Sequence, residues 1–121
     1  TYCELDDLLK DSDIVTIHLN LSDQTQKLID IKHLQLKKPN AILINTSRGE
    51  IIDECALYDA LKCNQIAGAG LDVFQQEPYL GPLTKLNNVV LTPHIGAYAK
   101  EIRMQMEIEA AENLIKGLSN E

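Results

Sequence analysis

"AILINTSRGEIIDECALYDALKCNQIAGAGLDVF" runs from Ala41 to Phe74. It opens on AILIN, an apolar run of strand length, and closes on a second, IAGAGLDVF. Between them, DECALYDALKCNQ places Ala56, Leu57, Ala60 and Leu61 on one face of a helix, with Asp53 set to cap it. Strand, helix and strand in succession point to a parallel α/β sheet. Neither strand alternates apolar with polar residues, a pattern that predicts a sheet covered on both faces.

The same rhythm extends in both directions. Upstream, ELDDLLKDS spaces Leu5, Leu8 and Leu9 as a short amphipathic helix, and DIVTIHLNL reads as a buried strand from about Ile14 to Leu19. IKHLQLKKPN is a short helix stopped at Pro39 and Asn40, with Ser22, Asp23 and Asp30 as turn or cap residues. Downstream, the irregular QQEPYLGPL leads to a fourth strand, NVVLT. Ile102, Met106, Ile108, Ala111, Leu114 and Ile115 then mark a long helix from about Tyr98 to Leu118, ended by Gly117. The expected fold class is α/β, a doubly wound parallel sheet followed by a long helix.

The totals narrow the function classes. A net charge of -7 argues against a nucleic-acid or anionic-membrane partner, since both need clustered Lys and Arg. No apolar run approaches the length of a membrane span, and there is no secretory h-region at the N-terminus. A cytoplasmic location is the expectation. Cys3, Cys55 and Cys63 are odd in number and lack metal-ligand spacing, so small buried thiols in a reducing compartment are expected. His18, His33 and His94 are scattered, and no metal site is expected.

In parallel α/β sheets, ligands bind beyond the carboxyl ends of the strands. The strands here lead into His18-Leu19-Asn20, Thr46-Ser47-Arg48-Gly49, Asp72 with Glu77-Pro78 beyond it, and Pro93-His94-Ile95-Gly96. All four endings bring polar or ionisable groups to one edge. Singly, each has a plain structural reading: a surface Arg, a solvated Glu, a loop His, a capping Asp. Together, Arg48, Glu77 and His94 suit a reaction on a small acid. Arg48 would anchor a carboxylate through its planar fork. His94 would give or take a hydroxyl proton, and Glu77, bonded to the imidazole, would favour its charged form.

NTSRGEIIDECAL, AGLDVFQQEP and LTPHIGA, in this order, resemble the signature blocks of the D-isomer-specific 2-hydroxyacid dehydrogenases. LDDLLKDSDIVTIHLNL resembles the segment before the first block, so the resemblance covers essentially the whole chain. It implies the second half of a Rossmann-type NAD-binding domain and a hydride transfer between NAD(H) and a D-2-hydroxy acid/2-oxo acid pair. The family's catalytic Arg, Glu and His fall on Arg48, Glu77 and His94. The implied cofactor-lining residues are His18, Leu19, Thr46, Ser47, Arg48, Asp72, His94, Gly96 and Ala97, with Asp72 as the carboxylate facing the nicotinamide carboxamide. PHIGAYAKE is similar to the corresponding segment of phosphoglycerate dehydrogenases.

Two departures matter. Asn20 stands where the family usually has Pro. The G-x-G-x-x-G turn that cradles a pyrophosphate is not in these residues, and the GAG of Gly68 to Gly70 falls inside a strand instead. The expectation is therefore that residues 1–121 form the C-terminal part of a dinucleotide-binding domain with an exit helix at about 98–118. The glycine motif and the substrate domain would lie outside them. Such a piece would bind NAD poorly, turn nothing over, and tend to form a homodimer through its exposed apolar strand edge. Two other classes remain open. One is an NAD-responsive binding or corepressor-type module of the same fold; the other is a domain kept only for oligomerisation.

Overall fold

The computed structural model describes residues 2–119. Four parallel strands form one sheet: β1 (Ile14–Ile17), β2 (Ile42–Asn45), β3 (Gly68–Leu71) and β4 (Val89–Leu91). Their spatial order is their chain order. The register sets Ile14 opposite Ile42, Ile42 opposite Gly68, and Ala69 opposite Val89. Helix α1 (Leu5–Asp11) leads into β1, α2 (Ile31–Leu36) joins β1 to β2, and α3 (Glu54–Lys62) joins β2 to β3. A loop with a short 3-10 turn at Pro82–Lys85 joins β3 to β4. Helix α4 (Lys100–Leu118) closes the described chain.

Asp30 and Asp53 start α2 and α3. Asp30 accepts from the amides of Lys32 and His33, and Asp53 from those of Cys55 and Ala56. Helix α2 ends at Leu36, earlier than the proline, because Lys37 is already extended. The residue before a proline is also biased away from helix. Gly117 does not end α4: it lies inside the helix, and no glycine has the positive φ by which a terminal glycine stops one. Helix α4 itself begins two residues later than Tyr98.

The expectation of a sheet covered on both faces needs correction for these residues. Val15, Ile17, Leu43, Ala69 and Leu71 are buried beneath α1, α2 and α3, together with Leu9, Leu34, Leu57 and Leu61. The alternate residues are open: Ile14 is 61% exposed and Val90 68%. The cause is topological. Every crossover steps one strand in the same direction, and right-handed crossovers stepping one way put all their connections on one face. A doubly wound sheet fills its other face from strands stepping the opposite way. Helix α4 buries none of its residues, so Ile102, Met106, Leu114 and Ile115 also face solvent.

Cys3, Cys55 and Cys63 are free but exposed, not buried. Helix α3 turns Leu57, Ala60 and Leu61 inward, which leaves Cys55 on its outer side. Lys37 is buried, and its Nζ has no hydrogen-bond partner. Burial pushes its pKa down, against the pull of Asp13, and neighbouring Lys38 adds to the fall.

Candidate active site

The carboxyl ends of all four strands open on one edge, and the chemistry collects there. The two loops carrying Arg48 and His94 have different supports.

Asn45, the last residue of β2, is 1% exposed. Its Nδ2 donates to the carbonyl of Arg48 at 2.8 Å. Its Oδ1 accepts from the Ser47 amide at 3.1 Å and the Ser47 hydroxyl at 3.0 Å. The 46–48 loop is thus wrapped around one amide group. Gly49 then presses against the next loop: a Cβ there would stand 2.0 Å from the backbone carbon of Phe74, so no other residue fits. This close approach brings Arg48 beside the chain leaving β3. The Arg48 side chain is exposed, and Nη1 donates to the Ser47 carbonyl at 2.7 Å. The other guanidinium donors have no partner among the described residues.

Asp72 follows β3 and is buried. Its Oδ1 accepts from the Ile95 amide at 2.9 Å and from the Thr92 hydroxyl, and its Oδ2 from the Gly96 amide at 2.8 Å. Burial pushes its pKa up, but these three hydrogen bonds and the nearby His94 ring outweigh it and hold the group below the ordinary carboxylate value. Gly96 belongs here for reasons of space, since a Cβ would lie 3.0 Å from Asp72 Oδ2. The clamp holds His94 at φ 55°, in the left-handed region, where His is among the more tolerant residues.

In that conformation His94 Nδ1 lies 2.8 Å from Glu77 Oε2. Glu77 Oε1 accepts from the Phe74 amide at 3.1 Å. The bond from His94 lowers the Glu77 pKa, partial burial opposes it, and the Phe74 amide adds to the fall. Glu77 is therefore a carboxylate at neutral pH and an acceptor only, so Nδ1 carries the proton. Nε2 is the nitrogen free to exchange one.

Arg48, Glu77 and His94 line one cleft of about 270 Å³, with Gly49, Phe74 and Gln75 in its wall. Arg48 also borders a second cleft of about 450 Å³, at the ends of β1 and β2, formed by His18, Leu19, Asn20, Leu21, Thr46 and Ser47. The His18 ring is held there by Thr16 Oγ1, 2.9 Å from Nε2. Five of the nine expected cofactor-lining residues thus share one cleft. Asp72, His94 and Gly96 meet at the neighbouring strand ends. Ala97 lies apart, against Arg103 and Met106 of α4.

Residues 1–96 match the family model described as "D-isomer specific 2-hydroxyacid dehydrogenase, NAD binding domain". The chain belongs to this family. It is 53% identical over 115 residues to a glyoxylate reductase of Thermococcus litoralis, an alignment covering 94% of this chain and 35% of that protein. The chain therefore spans about a third of the length of the curated relatives it matches. An acyclic imino acid reductase, solved with NADPH and D-Arg, superposes with a TM-score of 0.91 at 42% identity, covering 98% of this chain and 38% of its own. The NAD-complexed D-isomer specific 2-hydroxyacid dehydrogenase of Lactobacillus delbrueckii ssp. bulgaricus gives 0.82 at 37%, covering 97% and 40%. Both superpositions extend beyond residue 96.

Asn45 and Gly49 are the contributors that sequence reading missed. Asn45 had a signal: a polar residue completing an apolar strand must find partners if it is buried. Gly49 had none, because its constraint comes from Phe74, which is distant along the chain.

Proposed function

We propose that this chain carries the proton-transfer and carboxylate-binding groups of an NAD(H)-dependent D-2-hydroxyacid dehydrogenase that reduces glyoxylate, hydroxypyruvate or a similar short 2-oxo acid. The observation that carries this reading is the 2.8 Å His94–Glu77 bond beside Arg48, in one cleft. Arg48 pairs with the substrate carboxylate. His94 delivers its Nε2 proton to the carbonyl oxygen during reduction and takes it back from the hydroxyl during oxidation. Glu77 accepts from Nδ1, which orients the ring and balances its charge when Nε2 is protonated. A bound nicotinamide cofactor supplies or accepts the hydride. The cleft of His18, Leu19, Thr46, Ser47 and Arg48 fits part of such a cofactor, because it is polar and lies at the carboxyl ends of the strands. Asp72 Oδ2 accepts one hydrogen bond and retains capacity for a carboxamide N–H.

Residues 1–121 on this reading are the C-terminal part of a dinucleotide-binding domain, with α4 leading out of it. The open sheet face and α4 support self-association as a homodimer, which sedimentation at several concentrations would test; a monomer throughout would count against it. Three free, exposed cysteines suit the reducing cytoplasm, and cell fractionation would check that placement.

The test of the chemistry is His94→Ala in the full-length protein, followed by loss of NADH absorbance with glyoxylate or hydroxypyruvate. The variant is expected to fold and to lose about 10²–10⁴-fold in rate. Unchanged turnover would overturn the assignment. The 121 residues alone are expected to bind NAD weakly in calorimetry and to show no turnover; tight binding with turnover would sink the partial-domain reading.

A further inference from the structure

Three polar or charged side chains are buried among the described residues: Lys37, Asn45 and Asp72. The last two sit side by side at the ends of β2 and β3, where the Asp72 amide donates to the Asn45 carbonyl at 3.0 Å. Each spends its side chain on one loop. Asp72 holds the loop of His94, and Asn45 holds the loop of Arg48.

We infer that Asn45 is a positioning residue for Arg48, and that its side-chain amide sets where the guanidinium meets the substrate carboxylate. The inference rests on the dehydrogenase reading above. Asn45 touches neither proposed cleft; it acts through Thr46, Ser47 and Arg48. Two features make the amide suited to this. It offers a donor and an acceptor on one short planar group, and the 46–48 loop needs both, a donor for the Arg48 carbonyl and an acceptor for Ser47. It is also locked, because Asn45 ends a strand whose backbone is paired on both sides. Arg48, by contrast, is exposed and has only its neighbour's carbonyl as a side-chain partner. Its carbonyl accepts from the Ile51 amide only at 3.4 Å, so the 2.8 Å bond from Asn45 is the shorter of the two that direct it as it leaves the sheet. The backbone bond from Asp72 to Asn45 ties this loop to the clamp on His94, so anion anchor and proton donor share one buried support.

Asn45→Asp keeps shape and acceptor but loses the donor, and turns an oxygen toward the Arg48 carbonyl. In the full-length protein it is expected to lower kcat/KM for the 2-oxo acid by about 10–100-fold, the scale of a small misplacement of a positioning group. If Asn45 acts through Arg48, the same change in an Arg48→Ala background adds less than about twofold. Losses that multiply in the double variant would overturn the inference. A second readout needs no turnover. In ¹⁵N spectra, the amides of Thr46 to Gly49 should shift and broaden in Asn45→Asp while those of β1 to β4 stay put; unmoved loop amides would overturn it as well. Should Asn45→Asp not fold, Asn45→Val removes the donor without adding a charge, suits a strand, and is expected to give the same pattern. A wild-type protein without activity would defeat the dehydrogenase reading, and the spectra would still decide the role of Asn45.

Discussion

At the scale of single residues, the Glu77–His94 pair is the part of the site that titration can reach. Glu77 has its pKa lowered chiefly by the bond from His94. A carboxylate lowered on folding contributes stability above its unfolded pKa and loses it as the pH falls through the folded one. The pair should therefore survive mild acid. Carbon NMR of the Glu77 carboxyl should show a midpoint below the ordinary value of 4.5, and His94→Ala should move it upward. A midpoint unmoved by the substitution would mean the bond is not formed in solution. Lys37 makes the opposite case. Its buried, unpartnered amine is a cost, and Lys37→Met keeps the volume while removing the charge. The variant is expected to be more stable by about 1–3 kcal/mol at neutral pH in urea unfolding. The gain should shrink as the pH rises toward 10.5, where the wild-type amine can fold uncharged.

Helices and strands were largely legible in the sequence, and the reasons lie in short-range physics. Asp53 could be read as a cap because Asp before an apolar-periodic run has few other uses, and it does bond the Cys55 and Ala56 amides. The amide of Ala56 is the main cause of its lowered pKa, partial burial opposes it, and Lys27 adds to the fall. Asp53→Ala should cost about 1 kcal/mol at neutral pH. Because the carboxylate is favoured on folding, that difference should vanish as the pH drops through the lowered pKa. Urea midpoints of both proteins at several pH values would show it, and a difference independent of pH would rule out the charged cap. The ends of α2 and α4 are less legible. Pro39 and Gly117 mark where helices often stop, but the backbone at Lys37 and Gly117 decided otherwise.

For the whole molecule, the strand endings of the site were visible as residue types, but their assembly was not. That Arg48, Glu77 and His94 share a cleft depends on Gly49 meeting Phe74 and on Asp72 holding Ile95 and Gly96. Those contacts join segments that no local pattern relates. The one-sided winding was hidden for a similar reason. Apolar strands announce that both faces want cover, whereas crossover direction decides which face receives it here. The asymmetry predicts unequal sensitivities within one sheet. Leu43→Ala, beneath the helices, should cost about 2–5 kcal/mol. Val90→Thr, on the open face, should stay within about 0.5 kcal/mol. Comparable losses in urea unfolding would show that the open face is covered in solution.

The agreement of strand order with chain order also bears on synthesis. Among the described residues, each strand pairs with its neighbours in chain order, so these pairings need no segment beyond the next crossover. As the chain leaves the ribosome, β2 can pair with β1, and β3 with β2, as each emerges. Assembly of this kind is vectorial, yet each pairing still closes a full crossover, the cost that makes parallel sheets slow to form. The two loops that hold Arg48 and His94 acquire their supports in that same sequence. The β2–β3 pairing places Asn45 beside Asp72 first, and the clamp on His94 closes only when the last strand arrives.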